Sequence, residues 1–162
     1  MEFHTCCFTG HRHIPTRAVT ELTAILDRRI AALADIGFTE FRTGGALGFD
    51  TLAALRVLAA RKVRPEIRLH LILPCRDQAA RWRGSDVLLY EQILASADEV
   101  TFVQDTYSAG CMHARNRTLV NGSQLCLAFM TSPDGGTAYT VSFAEKQGVR
   151  VINLANEMEP IQ

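Results

Sequence analysis

The sequence has no excess of either charge and no long apolar run. Lysine plus arginine and aspartate plus glutamate each number 17, so no global field draws the chain to a nucleic-acid backbone or an anionic membrane, and any anion site must be local. No run reaches the roughly 20 apolar residues that span a bilayer, and the start MEFHTCCFTG lacks the layout of a signal peptide. We therefore expect a soluble protein of the cytoplasm with no membrane partner.

The usual sequence signatures of disulfide, metal and hydrolase sites are also missing. The five cysteines are odd in number and show no C-x-x-C spacing, which argues against a disulfide framework or a zinc site and fits a reducing compartment. His11 and His13 are the only closely spaced histidines, and no H-E-x-x-H or G-x-S-x-G motif occurs. The sequence predicts neither a metal nor a cofactor.

The pattern of apolar residues predicts one α/β domain over residues 1–162. Hydrophobic residues make up 48% of the chain, as in an ordinary globular domain. About six short β-type runs alternate with stretches of helical spacing, which indicates a mostly parallel sheet with right-handed crossovers and helices on both faces. The helices are predicted at 17–36, 48–62, 77–95 with a break near RGSD, 112–121 and 137–147.

The loops that follow the strands are where a ligand is expected. In open parallel sheets, ligands bind outside the carboxyl ends of the strands, next to helix N-termini. These loops contain most of the glycines, cations and polar groups that suit an anionic ligand. The candidate binding residues in them are Thr9, Gly10, His11, Arg12, Gly44, Gly45, Gly48, Asp50, Gln78, Trp82, His113, Arg115, Gly135, Gly136 and Thr137.

Two glycine turns lie at the carboxyl ends of predicted strands. TGGALGFD, residues 43–50, suits either a tight turn or close approach of a ligand, and Asp50 is either a ligand contact or the N-cap of a helix starting at Thr51. It has no Walker lysine. SPDGGT, residues 132–137, is either a turn with Thr137 as helix cap or a phosphate seat. Together the turns favour a bound anion, with DGGT as its seat and TGGALGFD as one wall.

Cations and one aromatic side chain complete this edge. His113, Arg115 and Arg117 lie near the start of a predicted helix, where positive charge opposes the helix dipole and calls for a compensating anion. Arg117 is interpreted as a surface residue, and Arg115 as the forked contact to a phosphate or carboxylate. Trp82 is suited equally to stacking on a base and to packing under a helix.

Five segments resemble those of one superfamily across nearly the whole chain. CCFTGHR, GGALGFDTLAA, LPCRDQAARW, GCMHARNRTLV and DGGTAYTVSFAEKQGVRVINL resemble the SLOG superfamily, most closely its YpsA-like branch of small bacterial proteins. The resemblance implies a Rossmann-like three-layer α/β/α fold with a nucleotide pocket at the loops selected above. GGALGFD and the DGGT segment are also similar to DprA, which binds single-stranded DNA. MHARN is similar to the M-H-x-R-K motif of Lonely Guy phosphoribohydrolases.

These resemblances leave three functions, ranked as follows. Binding or sensing of a nucleotide or nucleotide-derived small molecule comes first, with a separate effector protein as partner for a sensor and a homo-oligomer left open. Second is a nucleoside-monophosphate N-glycosidase with Arg115 as a catalytic residue, although Asn116 replaces the motif lysine and Thr140 falls at the position of the catalytic glutamate. DprA-like DNA binding comes third, because balanced charge makes a nucleic-acid partner the least expected.

Overall fold

Strands and helices alternate along residues 4–159, the part of the chain that the computed structural model describes. The six strands in that range are β1 (His4–Gly10), β2 (Phe38–Thr43), β3 (Arg68–Leu73), β4 (Glu99–Phe102), β5 (Leu125–Phe129) and β6 (Arg150–Asn153). The five α-helices there are α1 (Val19–Asp35), α2 (Phe49–Val63), α3 (Gly84–Ser96), α4 (Cys111–Val120) and α5 (Gly135–Lys146). Short 3-10 helices, Thr16–Ala18 and Leu154–Glu157, precede α1 and follow β6.

The strands form one parallel sheet in the order β4-β3-β2-β1-β5-β6. The chain moves outward from β1 to β4 and then returns to place β5 on the free side of β1. The connections that leave β1 and β5 therefore depart to opposite faces, which opens a crevice at the carboxyl ends of these two strands. The predicted α/β, Rossmann-like three-layer fold is confirmed.

Apolar side chains fill the space on both faces of the sheet. On one face, α1, α2 and α3 pack on a core that includes Phe8, Phe41 and Phe49. On the other, α4 and α5 cover a smaller core around Cys7 and Ile72. Because both faces are covered, a central strand such as β5 is apolar throughout, with the sequence LCLAF. All five cysteines are buried and carry free thiols.

The predicted helix over 77–95 is the element that differs most from the structure. Its first part forms turns, and α3 begins only at Gly84. Arg83, in an extended conformation with ψ 154°, separates the two parts. RGSD therefore marks the start of a helix and not a break inside one. Across residues 4–159, no helix has both the length and the apolar character needed to cross a bilayer.

Candidate functional site

A cleft of about 290 Å³ opens at the carboxyl ends of β1 and β5. It lies at the switch point of the strand order, where ligands of open α/β sheets bind. The end of β1 and the starts of α2, α4 and α5 contribute its walls. The predicted residues that line it are Thr9, Gly10, His11, Arg12, Asp50, His113, Arg115, Gly135, Gly136 and Thr137. Residues that sequence reasoning did not select also line it, namely Phe8, Ala46, Met112, Asn116, Leu119 and Asp134.

The first turn of α5 faces this cleft with exposed backbone. The N-cap is Asp134, and no side-chain hydrogen bond caps the helix. Thr137 is therefore not the cap, because α5 begins two residues earlier, at Gly135. A Cβ atom built on Gly135 or Gly136 would meet nothing within 4 Å. The missing side chains thus leave the N–H groups of this turn open to a ligand.

The glycines of TGGALGFD do not line the cleft, because protein atoms fill the space beside them. A Cβ on Gly44 would lie 2.5 Å from the Nη1 atom of Arg115. On Gly45 it would overlap the side chain of Leu73, and on Gly48 the backbone of Arg12. Gly45 and Gly48 also have φ values of 71° and 80°, which favour glycine. Packing of the protein on itself explains these three glycines, so the expectation that they form one wall of the pocket is wrong, although Ala46 and Asp50 of the same segment do line the cleft.

Asp50 and Arg115 are both buried between this turn and the cleft. The N-cap of α2 is Gly48 and the helix starts at Phe49, so the interpretation of Asp50 as N-cap is wrong. The Oδ2 atom of Asp50 instead accepts a hydrogen bond from the Ala46 N–H at 3.2 Å. Burial raises the pKa of Asp50 to about 6, and the positive charge of Arg115 opposes that rise.

Arg115 is only 5% exposed, because its guanidinium is engaged by neighbouring protein groups. Nη1 donates to the carbonyl of Gly44, and Nε donates to Oδ1 of Asn116 at 2.7 Å. Desolvation lowers the pKa of Arg115, and the nearby carboxylate of Asp50 counteracts it. These hydrogen bonds fix the position of the Arg115 side chain, which lines the cleft. Arg117 is exposed, as expected.

His11 joins the two loops that border the cleft. Its Nε2 atom accepts a hydrogen bond from the Thr131 N–H at 2.8 Å, and its ring lies edge-on to Phe129. Burial lowers the pKa of His11, which favours the neutral ring that can accept this bond. The His11 side chain therefore connects the loop after β1 to the loop after β5.

The rim of the cleft carries a stacked pair that the sequence did not reveal. The rings of His113 and Tyr139 lie 3.9 Å apart at an angle of 10°. The Tyr139 hydroxyl accepts a hydrogen bond from Arg117 at 3.0 Å. His113 and Tyr139 lie on different helices, so only the packing of α4 on α5 brings them together.

Gln78 and Trp82 lie outside the cleft. Nε2 of Gln78 donates to the carbonyl of Gly45 at 3.2 Å. Trp82 packs edge-on against Tyr90 of α3 with ring centroids 5.2 Å apart. Both side chains line a neighbouring groove of about 420 Å³. Packing against a helix is therefore the role that the structure assigns to Trp82.

A parallel doubly wound sheet with a cleft at its switch point places the chain in the Rossmann-like class of α/β proteins. The chain belongs to the YpsA family, described as the YspA SLOG family, whose model matches residues 7–153.

Relatives in sequence and in structure agree with that assignment. A UPF0398 protein of Bacillus pumilus (strain SAFR-032) is 30% identical over 131 residues, which cover 79% of this chain and 70% of the relative. The SPbeta prophage-derived protein YoqJ of Bacillus subtilis (strain 168) is 27% identical over 118 residues, 65% of this chain and 69% of YoqJ. DNA processing protein A of Helicobacter pylori, described for its single-stranded DNA binding mode, matches with TM-score 0.65 and 16% identity. That match covers 95% of this chain and 70% of the other, and it shows the fold alone.

Proposed function

We propose that the chain binds a nucleotide or a nucleotide-derived ligand in the cleft between β1 and β5, with a phosphate on the N-terminus of α5. The observation that carries the proposal is an uncapped helix start and a buried guanidinium in one cleft. The N–H groups of Gly135 and Gly136 favour an anion, and Arg115 supplies the charge that a Walker lysine provides elsewhere. Membership of the SLOG family and the DprA-like fold support a nucleotide-related or DNA-binding role at the level of the family.

The size and charge of the cleft favour a ligand that carries other chemical groups besides a phosphate. Its volume of about 290 Å³ lies just below the range of about 300–1,000 Å³ that is usual for small-molecule sites, which favours a ligand no larger than a mononucleotide. Asp50 and Asp134 line the cleft beside Arg12 and Arg115. Carboxylates repel phosphate but accept hydrogen bonds from ribose hydroxyls. This mixture of groups is expected to favour a nucleotide over inorganic phosphate.

A panel of ligands tests the proposal directly. The intact chain is incubated with nucleoside monophosphates, dinucleotides and cyclic nucleotides, with nucleosides and inorganic phosphate as controls, and the melting temperature is measured. A nucleotide at 100 times its Kd is expected to add about 2.7 kcal/mol to the free energy of unfolding. Nucleosides are expected to bind more weakly because they lack the phosphate. If no phosphorylated ligand raises the melting temperature at millimolar concentration, the proposal fails.

A second candidate function is hydrolysis of the N-glycosidic bond of a nucleoside 5′-monophosphate. The observation that favours it is Asp50, a carboxyl group in the cleft whose pKa burial raises to about 6, because such a group is suited to acid catalysis near neutral pH. Thr140 does not replace the absent glutamate, because it is buried and donates its hydroxyl to the Gly136 carbonyl at 2.9 Å.

Product analysis separates this function from binding alone. Water added across the glycosidic bond would release the free base and ribose 5-phosphate from each nucleotide consumed. Asp50→Asn is expected to abolish release of the base while nucleotide binding persists. Asp105→Asn, an exposed change outside the cleft, is expected to leave both unchanged. Stoichiometric binding without any base release would rule out the hydrolase.

DNA binding is tested in the same series. The balanced charge of the chain predicts that nucleic acid is an unfavoured partner. DNA processing protein A of Helicobacter pylori, which shares the fold, is described for its binding of single-stranded DNA. We expect weak binding of a single-stranded oligonucleotide that is lost as salt rises, because only local cations are available. Tight binding at physiological salt, measured by fluorescence anisotropy, would instead favour a DNA-binding role.

A further inference from the structure

A polar cluster lies on three neighbouring strands, outside the ligand cleft. Glu40 is on β2, His70 on β3 and Glu99 on β4, and His70 is paired in register with Glu99. His70 is also paired with Arg42, which lies two residues after Glu40 on β2, so alternation along the strands turns all these side chains to one face of the sheet. Glu40, His70 and Glu99 each offer one ligand atom, and these three atoms lie within 4.8 Å of one another.

The His70 ring presents an unpaired nitrogen to the two carboxylates. His70 is 8% exposed, and its Nε2 atom lies 2.8 Å from the Thr101 hydroxyl. Its Nδ1 atom is buried and has no hydrogen-bond partner among the described residues. That atom lies 3.5 Å from Oε1 of Glu40 and 3.7 Å from Oε2 of Glu99. When Nε2 donates to Thr101, a nitrogen lone pair and two carboxylate oxygens face one another with no proton between them.

We propose that Glu40, His70 and Glu99 bind one divalent transition-metal cation, such as Zn²⁺, with Thr101 as a positioning residue for the His70 ring. A cation at this point satisfies the orphaned Nδ1 atom and removes the repulsion between the two carboxylates. One imidazole and two carboxylates suit Zn²⁺, Mn²⁺, Fe²⁺ or Co²⁺, whereas Ca²⁺ and Mg²⁺ favour oxygen ligands alone.

The distances in the cluster are close to those of a metal site. Ligand bonds of about 2.0–2.2 Å at tetrahedral angles place neighbouring ligand atoms about 3.3–3.6 Å apart, and the contacts of the His70 Nδ1 atom at 3.5 and 3.7 Å are near that range. The Glu99 side chain is 55% exposed, so it is free to turn toward a bound ion. The fourth position of a tetrahedral site would be open to water.

The Glu40 carboxylate is held in place by groups around the cluster. Nε of Arg42 contacts its Oε2 atom at 2.6 Å, which leaves Oε1 directed toward His70. Arg42 thus holds the Glu40 carboxylate beside the His70 ring. Support of a ligand by its neighbours is usual in metal sites.

The test is titration of the intact, metal-free chain with Zn²⁺ by calorimetry and with Co²⁺ by absorption. Wild type is expected to bind one equivalent, and His70→Gln to bind none at this site. We expect Glu99→Gln and Thr101→Val each to weaken binding at least about tenfold, which for Thr101 reflects loss of the bond that orients the ring.

Matched controls identify metal that binds elsewhere. His13→Gln and Glu91→Gln change exposed residues outside the cluster and are expected to leave the affinity unchanged. Equal binding by wild type, Glu99→Gln and Thr101→Val would overturn the proposal, as would a Co²⁺ spectrum with thiolate charge-transfer bands. Because Glu99 is exposed, its variant is expected to fold even if His70→Gln does not.

The opposing arrangement is a protonated His70 ring between the two glutamates. It predicts no stoichiometric metal binding. That result would overturn the metal site. Nucleotide binding in the cleft involves none of these residues, so either proposal is able to fail alone.

Discussion

Two glycine turns at the same edge of the sheet have similar composition and opposite surroundings. In TGGALGFD, added Cβ atoms would run into Arg115, Leu73 and the backbone of Arg12. In PDGGT, added Cβ atoms on Gly135 and Gly136 would meet nothing within 4 Å. The first turn needs glycine because the protein itself occupies the space, and the second has free space where a ligand is proposed. Glycine content therefore indicates close approach but does not identify which group approaches.

Arg115 is the group that occupies the space at the first turn, and its removal is expected to have the largest effect. Arg115→Ala leaves the Gly44 carbonyl without its buried donor and the buried Asp50 carboxylate without the nearby positive charge, so we expect a loss of about 3–5 kcal/mol in the free energy of unfolding. Arg117→Ala, an exposed change on the same helix, is expected to cost about 0.5 kcal/mol or less. Urea unfolding measures both. Equal stabilities would show that Arg115 does not support the turn.

Gly48 tests the closed turn at the backbone. We expect Gly48→Ala to cost about 2–5 kcal/mol, because left-handed strain of about 1–2 kcal/mol adds to an overlap of about 1–3 kcal/mol with Arg12. Gly110→Ala is the control, since Gly110 is also a helix N-cap with a φ of 83° against 80° and has nothing within 4 Å, although its ψ is −4° and that of Gly48 is −121°. Gly110→Ala is expected to lower the free energy of unfolding only by the strain of its positive φ. Equal losses in urea unfolding would remove the overlap from the explanation.

Gly136 tests the open turn by its effect on binding. Gly136→Val is expected to fold normally and to weaken a bound nucleoside monophosphate at least about tenfold, or about 1.4 kcal/mol, because the branched side chain fills the approach to the N–H groups. Gly84→Val serves as control, since Gly84 also starts a helix in open space but lies outside the cleft. Calorimetry measures both affinities. Unchanged affinity in a folded Gly136→Val would place the phosphate elsewhere.

The smallest effect is expected from a change of pH, which acts on the hydrogen bond between His11 and the Thr131 N–H. Burial lowers the pKa of His11, so its stabilising contribution is complete above the ordinary histidine value of about 6.5 and is lost as the pH falls through the lower value in the folded state. The melting temperature of wild type is expected to fall relative to His11→Gln between pH 7.5 and pH 5. A constant difference would show that the Thr131 bond does not depend on the charge of His11.

The sequence was sufficient to predict the fold and the edge of the sheet where the cleft lies. Alternating apolar runs and loop chemistry depend on neighbours in the chain, so the helix predicted at 48–62 occurs as α2 at Phe49–Val63. The packing of Gly44 on Arg115, 71 residues away, depends on tertiary contacts that no local pattern encodes. The sequence did not predict the cluster of Glu40, His70 and Glu99 for the same reason. Their proximity follows from the order of the strands in the sheet, which hydrophobic periodicity does not specify.

The pairing of β1 with β5 also bears on when the cleft comes into existence during protein synthesis. The first strand leaves the ribosome before its neighbour at the cleft and the helix start at Gly135, which follow only after β2, β3 and β4. Until then, β1 can pair with β2 alone, and contacts so distant in sequence form late because a long loop must close first. Binding at this cleft would therefore begin only after α5 has been synthesised.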